Sequence, residues 1–359
     1  MQAELLALPA PGDPLHTAWA GLAGRAVEGS VFAEPAFVLA AARHLEGGDR
    51  VRLLVARDHE GLSFALPVQA TRAYKRVPVP GGLSWQHDYS YLGTPLVCPD
   101  AAAAAWAAVL AAPPAGWQWL VLPGLPTTGP VWEGLREAVT DRDVQPVSWR
   151  PQERAVVHRR EAATYLDGRL RGVHRKGLRR QRRLLGDRVE LRDRTGDPAA
   201  VEDFLALEAS GWKGRAGTAM AARGGHGGLL RELVRTCPEV CQVFSLDVDG
   251  RPVAVQVNLR RGRTSWCFKT AYDEEHRGSS PGLLLMLDVL EAFHADLGLD
   301  TLDSCAVPGH PMADRVMPDR RPLATVLLPL RAPGRLAARA VPPLAALKTR
   351  IAPTTKETT

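Results

Sequence analysis

Cysteine is scarce in this 359-residue chain, and its placement excludes two classes of protein. The five cysteines (Cys98, Cys237, Cys241, Cys267 and Cys305) are scattered and odd in number. That argues against a disulfide framework and makes a reducing cytoplasm the expected compartment. Cys237 and Cys241 stand as C-x3-C with no second Cys or His pair at ligand spacing, so no metal is expected. The opening stretch MQAELLALPAPGDP lacks a basic leader and an apolar run of signal-peptide length. The longest apolar stretch, 101–112, falls short of the roughly 20 residues a membrane-spanning helix needs, so no transmembrane segment is expected. Acids are missing from one run, which begins at Arg169, ends at Arg183 and holds eight cations.

What is present points to a folded, ordinary-sized chain. Hydrophobic residues make up 45%, enough for a sizeable core, and the length suits two domains. A formal net charge of +6 permits an anionic partner without requiring one.

Periodicity gives a helix over 35–45, strands over 51–57 and 62–72, and an aromatic loop from Val77 to Pro95. A helix (101–112), strand (117–122), helix (131–141) and strand (144–150) follow. The second half repeats that order: strand 189–194, a helix over 199–210 capped by Asp197, and a helix over 226–236. Strands 240–248 and 252–261 flank Asp249-Gly250, a tight-hairpin signal. Strand 264–273 leads into helix 281–297, then strand 301–306, a short helix over 310–317 and strand 323–330. A terminal helix is expected over 335–350, with the last nine residues frayed. Both halves read as α/β units, mixed sheets flanked by helices. The expected boundaries are 1–158, 159–333 and a 334–359 tail.

The most informative stretch is 264–298. Pro281 suits a first helical turn, and Ser279 or Ser280 can cap it. Arg277, Gly278, Ser279, Ser280 and Gly282 would set amides and a positive charge against an anion such as a diphosphate. Gly224-Gly225-His226-Gly227-Gly228 is too irregular for a nucleotide fingerprint.

The element order of the second half matches the GCN5-related N-acetyltransferase (GNAT) fold, and two such units in one chain is the FemAB-like arrangement. The segments LRRQRRLL (178–185), FLALEASGWKGRAGTAM (204–220), KTAYDEEHRGSSPGLLL (269–285) and DSCAVPGHPMADRV (303–316) resemble the CelD/BcsL-type acetyltransferases, with SYLGTPLV (90–97) as a first-half counterpart. The resemblance implies acyl transfer from acetyl-CoA or another acyl-CoA to an amine or hydroxyl, in a polysaccharide-related setting. The acceptor would be a small molecule or saccharide held between the halves, with the donor at 277–282. In simple acetyltransferases the donor loop carries a basic residue or Gln and two tightly spaced glycines, which Arg277, Gly278 and Gly282 only approximate.

Acyl transfer needs a held thioester, donors for the oxyanion and removal of a proton. Amides near Thr270–Tyr272 are candidate oxyanion donors if their strand splays from its neighbour. Tyr272 is placed to protonate the leaving thiolate, or else is a packed strand residue. Lys269 is a candidate phosphate or carbonyl contact, or a solvated edge lysine. Trp212, Lys213 and Arg215 are candidate substrate contacts. Asp303, His310 and Glu208 are alternative proton acceptors, each with a capping or surface role as the plainer reading. Cys305 beside His310 is a weaker nucleophile candidate. Trp85 and Tyr89, in the aromatic loop, either stack on a sugar or pack between the halves. The cations between Arg169 and Arg183 face water or an anionic partner. Two rivals remain: a FemAB-like ligase using aminoacyl-tRNA, and a non-catalytic polyanion-binding protein.

Overall fold

The computed structural model describes residues 1–140, 142–170 and 173–351. Asp141, Arg171, Gly172 and the tail from 352 lie outside the described residues, as do the side chains of Asp167, Arg169, Val173, His174, Arg175 and residues 345–351. Part of the basic run and the expected frayed end therefore fall there.

The strands in chain order are β1 (Gln2–Ala7), β2 (Arg52–Asp58), β3 (Gly61–Thr71), β4 (Gly81–Ser84), β5 (Leu96–Val97), β6 (Trp119–Pro126) and β7 (Val147–His158). They continue as β8 (Val189–Asp193), β9 (Cys241–Val248), β10 (Arg251–Arg261), β11 (Thr264–Tyr272), β12 (Thr301–Asp303) and β13 (Asp319–Pro329). The helices are α1 (Pro14–Arg25), α2 (Pro35–His44), α3 (Ala102–Ala111), α4 (Pro130–Val139), α5 (Tyr165–Arg169) and α6 (Val173–Leu185). After them come α7 (Pro198–Ser210), α8 (Trp212–Arg215), α9 (His226–Thr236), α10 (Pro281–Ala295), α11 (Pro311–Val316) and α12 (Ala332–Ile351).

Two compact units form, and neither is one continuous segment. The first comprises Met1–Ala33, Arg50–Gln152 and Pro322–Thr359, the second Glu34–Asp49 and Glu153–Arg321. This departs from the expected cut at 158/159 in two ways. Helix α2 belongs to the second unit, where Phe37 meets the Phe268 ring edge-on, 6.1 Å between centroids. The chain after 321 returns to the first unit because β13 pairs antiparallel with β6.

In the first unit β1, β2, β3 and β4 run antiparallel in turn, and β4 pairs parallel with β6. Helices α3 and α4 cover one face through Trp106, Val109, Val131 and Leu135, all buried. Strand β4 lies inside the segment expected to be loop. Its Gly81 and Gly82 have low strand propensity, but a Cβ at either would stand 2.1 Å from the Trp119 or Trp117 ring. Only glycine allows that approach.

In the second unit β8, β9, β10 and β11 are antiparallel neighbours, β11 pairs parallel with β12, and β12 pairs antiparallel with β7. Strand β10 is buried at every position from Val253 to Leu259, as a strand covered on both faces must be. Helix α10 covers one face, setting Leu284, Leu285 and Val289 on Phe244, Leu246 and Ala254. Helix α7 also lies against β10 and β11. The two units thus share one order: antiparallel strands, a crossover helix and a parallel return. The expected α/β class, mixed sheets with flanking helices, is what the chain adopts.

Candidate active site

The site grows out of the outer half of β11. Strand β12 is only three residues long and pairs with Thr264–Trp266 alone, so from Cys267 to Tyr272 that edge of β11 has no strand partner among the described residues. A register shift opposite Val257 and Asn258 adds Phe268 as an extra residue, a bulge that re-aims the side chains beyond it. The Asp273 amide donates to the Val253 carbonyl at 2.8 Å. Antiparallel alternation then points the amides and carbonyls of Thr270 and Tyr272 away from β10, toward the open edge. The Thr270 carbonyl accepts from Lys213 Nζ at 3.4 Å, in keeping with that direction. The edge that the oxyanion reading needs open is thus left without a strand because β12 ends at Asp303.

A small cleft of about 30 Å³ opens beside this edge, lined by Leu207, Glu208, Trp212, Lys213, Thr270 and Tyr272 among others. Helix α7 supplies Glu208. It is nucleated by Pro198 at its first position and by Asp197, whose Oδ1 accepts from the Ala199 amide at 2.9 Å. The helix ends at Gly211, and the single turn α8 presents Trp212, Lys213 and Arg215. Glu274 clamps this turn: one carboxylate oxygen accepts from the Trp212 amide and the other from Arg215. The Arg215 guanidinium and, after it, that amide hold the Glu274 carboxyl below its usual range. Nothing in the sequence singled Glu274 out, since its partners lie 62 and 59 residues away.

Four predicted site residues thus come together: Glu208, Trp212, Lys213 and Tyr272. Glu208 does not act there as a free base. Its carboxylate is 1% exposed, Oε1 accepting from Lys213 Nζ at 2.9 Å and Oε2 from the Met220 amide at 2.8 Å. It holds the lysine at the cleft. Trp212 is 56% exposed. The ring of Tyr272 lies against Gly282, where a Cβ would stand 3.5 Å from Cδ1, and its phenol has no hydrogen-bond partner among the described residues. Lys269 sits half-buried on β11 opposite Val257, next to the bulge.

The expected anion-binding turn takes a different form. Residues Glu274–Ser279 wind into a 3-10 helix capped by Asp273, whose Oδ1 accepts from the Glu275 amide at 2.9 Å. Arg277 and Gly278 are exposed, and Ser279 is buried. Ser280 occupies the cap position of α10 with φ of 50°, but its hydroxyl caps no amide. It accepts instead from Gln181 Nε2 at 3.1 Å. Serine capping, as expected from sequence, is therefore replaced by a contact with α6. The amides of Leu283 and Leu284 both donate to the Ser280 carbonyl.

Two predicted proton acceptors are structural. Asp303 is fully buried, within 3.7 Å of Arg154 and 3.5 Å of Arg321, and its Oδ1 accepts from the Cys305 amide at 2.8 Å. His310 caps α11, Nδ1 accepting from the Ala313 amide at 3.3 Å, which commits its lone pair. Desolvation, and then the Asp303 charge, push the Cys305 thiol well above its usual range, which disfavours the thiolate that a nucleophile needs. Iodoacetamide at pH 8, read by peptide mass spectrometry, should label Cys98 and leave the buried Cys267 unmodified. In the first unit Trp85 and Tyr89 are 6% and 1% exposed, so neither offers a ring for stacking on a sugar.

The basic run forms α6. Leu178 and Leu185 join the core beneath α10, and Arg182 pairs with Asp288 at 2.8 Å. At 100° per residue, Lys176, Arg179, Arg180 and Arg183 fall within about 100° of arc on the opposite side. All four are exposed, and none has a carboxylate partner among the described residues. Among those residues no group of side chains is set to hold a metal, and no helix is long and apolar enough to cross a membrane.

Residues 172–310 match the acetyltransferase (GNAT) domain family. The match contains β8 to β12, and with them the open strand edge and the cleft. No curated protein matches the chain by sequence. Several solved structures share its fold. One is FemX, with TM-score 0.58 at 9% identity, over 94% of this chain and 100% of that one. Another is the C-terminal domain of a protein described as a lysylphosphatidylglycerol synthetase from Agrobacterium fabrum, with TM-score 0.55 at 13% identity, over 94% and 96%. A third is L-PGS from Bacillus licheniformis, with TM-score 0.52 at 12% identity, over 94% and 99%.

Proposed function

We propose that the second unit transfers a small acyl group, acetyl in the simplest case, from a coenzyme A thioester to an amine or hydroxyl. On this reading it is a CelD/BcsL-type enzyme with a saccharide or other envelope-precursor acceptor in the cytoplasm. The observation that carries the proposal is the edge of β11 at Thr270 and Tyr272, which no strand covers among the described residues, beside Lys213 and the phenol of Tyr272. An extended amide-bearing arm such as pantetheine can pair with that edge as a strand would, bringing the thioester carbonyl to the Tyr272 amide and the Lys213 ammonium. Arg277, Gly278, Gly282 and Lys269 lie toward the donor's phosphates. Trp212 offers an exposed ring face to the acceptor, with Lys213 and Arg215 beside it. The cleft has room for about one water-sized group, which supports a short acyl chain.

In the reaction the acceptor's lone pair forms a bond to the carbonyl carbon, and the oxyanion is met by the amide and ammonium. Collapse breaks the carbon–sulfur bond. The leaving thiolate takes the phenol proton of Tyr272, which solvent restores. With Glu208, Asp303 and His310 all engaged, the acceptor amine arrives neutral and releases its extra proton to water. Positioning supplies about 7–11 kcal/mol and an aimed oxyanion donor roughly 2.7–4 kcal/mol, so a missing base is tolerable.

Isothermal titration of the full chain with acetyl-CoA tests this, and low-micromolar binding is expected. Tyr272→Phe should keep that affinity while slowing release of free thiol by ~10²-fold. Absence of binding to any coenzyme A thioester would overturn the reading. The four-cation face of α6 and the occupied Ser280 hydroxyl favour a second reading, an aminoacyl-tRNA-dependent ligase. Steeply salt-dependent tRNA retention without coenzyme A binding would select it. Retention of polyanions with neither donor consumed would point to a non-catalytic binder.

A further inference from the structure

The last helix carries an apolar arc and a positive charge that the fold uses only in part, Arg335 being paired with Asp143. Helix α12 is held to the first unit by Ala337, Ala338 and Val341, which pack with Trp119, Val121 and Leu327. Its start is pressed against β6, where a Cβ on Gly334 would stand 1.8 Å from the Gln118 carbonyl oxygen. On its outer side Leu336 is 73% exposed and Leu344 is 50% exposed. At 100° per residue, Pro343, Leu336, Ala340 and Leu344 occupy about 100° of contiguous arc, adjoining the buried arc on one side. Arg339 and Arg335 border it on the other. From 331 to 351 the sequence holds five cations and no acid, against a net charge of +6 for the whole chain.

An apolar arc edged by arginine is the pattern of a helix that lies in a membrane interface. The charge also argues against a second copy as its cover: α12 has no acid to meet its own cations, so self-pairing would set arginine beside arginine. We propose that α12 docks the protein onto an anionic phospholipid surface, with Leu336 and Leu344 entering the headgroup boundary and Arg339 meeting lipid phosphates. The helix lies on the bilayer and does not cross it.

Co-sedimentation of the full chain with vesicles tests this. Binding should be at least about tenfold stronger to phosphatidylcholine–phosphatidylglycerol vesicles than to pure phosphatidylcholine, since each cation near the surface contributes roughly fivefold. The double variant Leu336→Glu, Leu344→Glu should lose about tenfold or more, because both the apolar contact and the local charge change. Arg339→Glu should lose severalfold. All three positions are exposed, so an unchanged melting temperature confirms that the variants fold. Equal binding to both vesicle types would overturn the proposal. So would a leucine double variant that binds as well as the parent, because the attraction would then be surface charge alone. A dimer by light scattering that the leucine variants dissolve, without vesicle binding, would assign the face to a second copy and also overturn it.

Discussion

Replacing Asp303 by Ala is expected to destabilise the protein by about 3–5 kcal/mol, read as a lowered urea midpoint. Asp303 is fully buried and lies between Arg154, whose side chain is 8% exposed, and Arg321, at 21%. Removing the carboxylate takes a buried negative charge away from two guanidinium groups, one of them in a low-dielectric interior. The Cys305 amide, in a residue with φ of 53°, loses its acceptor as well. Asp303→Asn should fall between the two, since its amide oxygen can still accept from Cys305 while the charge is lost. The contrary expectation, a general base, is separable. A base would show its loss in turnover with stability unchanged. Asp303→Ala protein that folds, melts like the parent and transfers nothing would restore the catalytic assignment.

Lys213→Met is expected to destabilise by about 2–4 kcal/mol, because it strands a carboxylate that is 1% exposed. Glu208→Gln should cost less, keeping an acceptor for the Met220 amide. The double variant should be more stable than the sum of the two single losses allows, since a neutral glutamine beside methionine leaves no unpaired charge. That non-additivity in denaturant melts is the signature of a coupled pair. The same pair should register in catalysis: if Lys213 aids the oxyanion, Lys213→Met lowers kcat and leaves donor affinity near the parent value. Strict additivity, with full stability in Lys213→Met, would show that the ammonium and carboxylate act independently and would return Glu208 to candidacy as a base.

Local signals in the sequence were sufficient wherever structure is decided within a few residues. The helix His226–Thr236 was readable with both ends, and so was the Asp197 cap of α7. Asp249-Gly250 makes the hairpin it suggested, both residues having positive φ. Other local signals went unread: Asp13 followed by Pro14 caps and opens α1 as Asp197 and Pro198 do for α7. The glycines of β4 misled because their reason lies in Trp117 and Trp119, which no short window contains.

By itself, then, the sequence determined the α/β class, the repeated strand and helix order, and the one stretch where a strand runs into a helix opened by Pro281, because hydrophobic period, proline and turns are local. Only the tertiary structure decided which chain segments complete each unit, since β7 and β13 are chosen by partners far along the chain. It alone decided that Asp303, His310 and Glu208 are held by an arginine pair, an amide and a lysine, while Tyr272 keeps its phenol free. A side chain's chemistry depends on what surrounds it in space, and those neighbours are brought together by packing.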